Sequence, residues 1–110
     1  MTLELLYLPD CPNHGAAVDM VRDVLAEEGM SPPFIQTPIS DDEQAMEHRF
    51  PGSPTIRVNG QDIEDVAPDH LAVGLACRTY LVEGAQQTVP PRGWLVRALR
   101  EARITEERCR

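Results

Sequence analysis

Cys11 is followed by Pro12, Asn13 and His14, and this tetrad opens a segment whose apolar residues recur at helical spacing. A thiol at the start of a helix faces backbone N–H groups without intrahelical acceptors and the positive end of the helix dipole, both of which favour the thiolate. An imidazole three residues on can share the thiol proton, so Cys11 reads as a nucleophile or as a soft-metal ligand. The plainer alternative is a small apolar residue packed in a strand–helix junction. His14 is equally open: it is a proton acceptor for Cys11, the second member of a Cys-x-x-His pair, or an exposed residue of the first helical turn. Structural zinc needs about four ligands, usually as two close pairs, and only Cys11 and His14 form a pair, because His48 and His70 stand alone; no metal site and no cofactor are expected. Cys77 follows Gly74, which permits a bend, and precedes Arg78, whose charge favours a thiolate. It is either a second thiol that folds back toward Cys11 or a packed core cysteine. Cys109, beside Arg110, is expected to have no role.

These residues need elements to position them. Leu3, Leu5, Leu6, Tyr7 and Leu8 form a nearly continuous apolar run, as in a strand covered on both faces, which Pro9 and Asp10 end. Ala17, Met20, Val21, Val24 and Leu25 then fall on one helical face, Gly29 stops that helix, and Pro12 suits its first position, which puts Cys11 at the helix N-terminus. Phe34 to Thr37 reads as a second strand flanked by prolines. Ser40 and Glu43 have capping-box spacing for a short second helix that runs to about Arg49. Thr55 to Val58 reads as a strand, Asn59-Gly60 as a hairpin turn, and Gln61 to Glu64 as the antiparallel partner. Residues 65–89 show little periodicity; Cys77 to Val82 reads as an edge strand. Pro91 opens a last helix with Trp94, Leu95, Ala98, Leu99 and Ala102 on one face, and residues 104–110 read as a frayed tail.

The chain has 110 residues, 42% of them apolar, enough for one domain with a core. Its net charge is −8, all ten basic residues are arginines, and they form no block, so binding to a phosphate backbone or an anionic membrane is not expected. The N-terminal run lacks the charge pattern of a signal peptide and the length of a membrane span, and three cysteines suit no secreted disulfide framework; a cytoplasmic location is expected. Nothing in the composition fixes an oligomeric state.

The order of elements, with a cysteine after the first strand and a proline just before the hairpin, resembles the thioredoxin-like fold. Cys11-Pro12-Asn13, Gly52-Ser53-Pro54-Thr55 and Gly74-Leu75-Ala76-Cys77-Arg78 are similar to motifs of small bacterial thioredoxin-family proteins. The resemblance implies an α/β fold with a mixed central sheet flanked by helices, in the order βαβαββα, with residues 65–89 inserted before the last helix of a domain spanning 1–103. It implies Cys11 as the nucleophile of thiol–disulfide exchange with a small thiol or a protein disulfide, and Pro54 as a cis-proline beside that sulfur. It also implies Pro12, Ser53, Pro54 and Thr55 as substrate contacts, with the backbone beside Pro54 presented to an extended substrate strand. The family's redox pair is Cys-x-x-Cys, whereas here the fourth position is His14, so exchange within the motif is excluded; Cys11 acts as a monothiol or with Cys77. Two alternatives stand beside this expectation. The two sulfurs would capture Hg(II), As(III) or Cu(I), or the chain keeps the scaffold and acts by contact alone.

Overall fold

A computed structural model describes residues 1–65 and 71–108. It is a mixed α/β structure. The elements are β1 (Leu3–Tyr7), α1 (His14–Glu28), β2 (Phe34–Pro38), α2 (Asp42–Glu47), β3 (Thr55–Val58), β4 (Gln61–Asp62), β5 (Tyr80–Val82), β6 (Ala85–Gln87) and α3 (Arg92–Arg108). One four-stranded sheet runs in the order β2-β1-β3-β4, with β1 parallel to β2 and antiparallel to β3. β5 and β6 form a separate two-stranded hairpin.

Alternation along β1 builds two cores, because successive side chains of a strand point to opposite faces. Leu3 and Leu5 pack with Ala17, Val18, Val21 and Val24 of α1, Ile56 and Val58 of β3, and Leu95 and Leu99 of α3. Leu6 packs with Ile39, Ala45 and Phe50, and Leu8 joins them from the rim, so α2 closes the other side. Arg100 ties α3 to α1 through both carboxylate oxygens of Glu28, at 2.7 and 3.1 Å. Among the described residues no helix is long and apolar enough to cross a membrane.

Several boundaries differ from the sequence expectation. α1 begins at His14 with Asn13 as its N-cap, so Pro12 lies in the preceding turn and not in the first helical position. The cap of α2 is Asp41, whose carboxylate accepts from Gln44 N at 2.8 Å while the Gln44 side chain reaches back to Ser40 N at 2.7 Å. The capping pair is thus displaced by one residue from Ser40 and Glu43. α3 continues to Arg108 through residues expected to fray; the N-terminal ammonium pairs with Glu106 at 2.6 Å and Thr105 bonds back to Glu101, which hold that end. The expected strand over 77–82 shrinks to Tyr80–Val82, which pairs with β6 away from the main sheet. Cys109 and His70 lie outside the described residues.

Candidate functional site

The turn after β1 carries the first thiol. Cys11 is half-buried; its N–H donates to Leu8 O at 2.9 Å and its carbonyl accepts from His14 N at 3.3 Å. Cys11 therefore sits in a tight turn two residues ahead of the α1 cap, not within the helix. The His14 ring is engaged by two neighbours. It stacks on Tyr7, 3.7 Å between centroids and 3° from parallel, and its Nε2 bonds to Gln36 Oε1 at 2.9 Å.

The loop before β3 lies beside that turn. Leu8 N donates to Ser53 Oγ at 3.0 Å, so the residue that anchors Cys11 through its carbonyl is also anchored to Ser53 through its amide. The Ser53–Pro54 peptide bond is cis, as the resemblance implied. On its far side Ser53 pairs with Cys77 in an isolated parallel bridge: Ser53 N donates to Ala76 O and Arg78 N to Ser53 O, both at 2.9 Å. Gly74 N donates to Phe50 O at 3.0 Å, which fixes the bend that precedes this pairing. Both cysteines carry free thiols, and Cys77 is exposed. Leu8 and Ser53 thus link the turn that carries Cys11 to the segment that carries Cys77.

The substrate contacts expected from the resemblance are four: Pro12, Ser53, Pro54 and Thr55. Ser53, Pro54 and Thr55 are buried, and Pro12 alone of the four is exposed. Both backbone hydrogen-bonding groups of Ser53 are taken by the chain itself, so no free edge is presented there. The Thr55 hydroxyl donates to Gly52 O at 2.6 Å and accepts from Arg78 Nη1 at 3.0 Å.

Arg78 also departs from its expected part. Its charge does not serve Cys77 but is turned inward, 5% exposed, with Nη1 on Asp62 Oδ2 at 2.6 Å and Nη2 on Glu64 Oε1 at 3.1 Å. The guanidinium lies over the Tyr80 ring, 4.4 Å from its centroid, and Tyr80 OH donates to Pro54 O. Burial works to lower the Arg78 pKa, but the hydrogen bond to Asp62 and the other neighbours outweigh it and hold the pKa above its ordinary value. Burial, partly offset by Arg78, raises that of Tyr80. Gly52, at φ +138°, completes the packing: a Cβ there would meet Arg78 Cβ at 2.9 Å and Ala76 O at 3.1 Å. Sequence reasoning missed this cluster. Its signal was a pair of acids that needs a cation, Asp62 and Glu64, two apart around the buried Ile63.

Among the described residues no group of three or more His, Cys, Asp or Glu side chains is arranged to hold a metal ion. No protein-family model, no curated protein and no solved structure matches this chain.

Proposed function

We propose that this chain is a thioredoxin-like thiol protein in which Cys11 is the nucleophile of thiol–disulfide exchange, with Cys77 as the second thiol of the site. The observation that carries the reading is the run of hydrogen bonds from Cys11 N to Leu8 O, from Leu8 N to Ser53 Oγ, and across Ser53 to Ala76 and Arg78. Those links connect, through Leu8 and Ser53, the two segments that carry cysteines far apart in sequence. The element order and the mixed sheet with α1 and α3 on one face and α2 on the other are compatible with the thioredoxin-like reading. In the exchange the Cys11 thiolate attacks a disulfide, a mixed disulfide forms, and the leaving thiolate takes a proton from water. Because His14 replaces a local resolving thiol, release falls to an external thiol or to Cys77.

The test is incubation with a small disulfide across pH, followed by peptide mapping of the adduct, in the wild type and in Cys11→Ser and Cys77→Ser. The expected adduct is on Cys11, lost in Cys11→Ser, and in the wild type partly converted to a Cys11–Cys77 link. An adduct confined to Cys77 or Cys109 refutes the assignment. Protection of both thiols by added Hg(II), without exchange, would establish metal capture in its place.

A further inference from the structure

At the end of β1, where Cys11 is presented, a polypeptide partner needs a free backbone edge if it is to bind as an added strand. The two neighbouring edges differ. On one side β2 is the outer strand of the sheet, and it ends at Pro38, which has no N–H to donate at the level of the Cys11 turn. On the other side Ser53 has given its N–H to Ala76 and its carbonyl to Arg78. The chain has laid its own segment along the edge where a substrate strand would pair.

That segment is fastened. Arg78 reaches Thr55, Asp62 and Glu64 from a position 5% exposed; Tyr80 holds Pro54 O; and Gly52 leaves no room between its own backbone and Arg78 Cβ. A peptide that displaced residues 76–78 would regain two backbone hydrogen bonds, but it would strip a buried guanidinium of its carboxylates, an exchange that runs uphill. Cys11 meanwhile is only half-buried, and a molecule that needs no backbone pairing is not barred by the filled edge.

We infer that residues 76–80 are an internal strap that closes the thiol site to extended polypeptides and selects small, non-polypeptide-like disulfides as its substrates. The inference rests on Cys11 being the exchange nucleophile. The step is an interchange: Cys11 S⁻ attacks one sulfur of R–S–S–R, that S–S bond breaks as Cys11–S–S–R forms, and RS⁻ leaves and is protonated by water. A second thiol R′SH attacks the R sulfur of the mixed disulfide, R–S–S–R′ forms and Cys11 leaves as the thiolate, with no net oxidant consumed. Where Cys77 attacks instead, RS⁻ leaves and a Cys11–Cys77 disulfide forms, R–S–S–R having oxidised the two protein thiols, which an external thiol then reduces.

Two probes with one leaving group test it: glutathione and the central cysteine of an extended decapeptide, each activated as the mixed disulfide with 5-thio-2-nitrobenzoate. Rates are taken on the Cys77→Ser/Cys109→Ser protein and divided by those of a small free thiol with the same two probes. The glutathione probe is expected to react at least about 10-fold faster than the peptide by this ratio. Arg78→Lys keeps the charge but loses the fork, and should raise the peptide rate several-fold while leaving the glutathione rate within about twofold. Should that variant fail to fold, amide hydrogen exchange on the wild type decides: the Ser53 and Arg78 amides should be protected to the level of β1 and β3. Equal normalised rates, or free exchange at those two amides, overturn the strap while leaving Cys11 as nucleophile. Inertness of Cys11 toward both probes overturns the exchange reading, and the substrate class with it.

Discussion

Replacing Arg78 with methionine keeps the stem of the side chain and deletes the guanidinium that answers Asp62 and Glu64. Removing one member of a buried ion pair costs about 3–5 kcal/mol, chiefly because the partner charges are left without a counterpart. Asp62 and Glu64 keep 11% and 17% side-chain exposure, which lets water offset part of that loss. The lower end, about 3 kcal/mol, is therefore the expected cost of Arg78→Met. A domain of 110 residues has a total stability on the order of 5–15 kcal/mol, so the variant should fold but melt at least about 10 °C lower. Trp94, the single tryptophan, reports the change directly: its ring meets the edge of Tyr80 at 6.0 Å, and Tyr80 lies beneath Arg78. Urea denaturation followed by its fluorescence gives the loss. A compensated variant, Arg78→Met with Asp62→Asn and Glu64→Gln, should recover most of it, since no unpaired charge then remains. A loss under about 1 kcal/mol for the single change, or a compensated variant no better than the single one, would refute the claim that this pairing fastens the segment.

His14→Cys should restore a Cys-x-x-Cys pair and raise turnover of a small disulfide such as oxidised glutathione well above a weak or absent wild-type level; wild-type activity equal to the variant's would mean that another thiol already resolves Cys11. Tyr80 has a raised pKa in the fold from burial, so its proton is bound more tightly folded than unfolded. The linked stability is complete below the ordinary value of 10.0 and is lost as pH rises above it; Tyr80→Phe should flatten that alkaline decline in a denaturation series. Glu28 has a lowered pKa through its hydrogen bond with Arg100, so its contribution is present above the ordinary value of 4.5 and is lost as pH falls through the folded value. Glu28→Gln should thus lower the melting temperature at pH 7 and match the wild type in acid; a deficit that persists undiminished in acid would show that the loss is not electrostatic.

What could be read in the residues and what could not divides by range. β1 and α1 are legible because their signals are local: a run from Leu3 to Leu8, a helical face from Ala17 to Leu25, and Gly29 in the left-handed conformation at φ 64° that its C-cap position requires. Asn59-Gly60 set the β3–β4 turn for the same reason, both residues lying at positive φ. The cap of α2 was misplaced by one residue because Ser40 and Asp41 both have capping side chains, and spacing alone cannot rank them. The stretch from 71 to 87 follows different rules. Its order comes from Gly74 on Phe50, Cys77 beside Ser53, and Arg78 on Asp62 and Glu64, none of which leaves a period in the sequence.

That difference bears on the site. Cys11 is marked by local grammar, at the end of a strand and ahead of a helix, whereas the environment that determines what can reach it is built by long-range pairing. Ser53, Pro54 and Thr55 resemble substrate contacts in sequence; in the fold their polar groups are spent on Leu8, Arg78, Tyr80 and Gly52. Buried polar groups must find partners, and here the chain supplies them from its own residues 76–80. A residue type that binds substrate when its backbone edge is open becomes structural once that edge is filled, so the selectivity of a Cys11 thiol would lie less in the motif that carries the sulfur than in the segment, fastened by Arg78, that runs beside it.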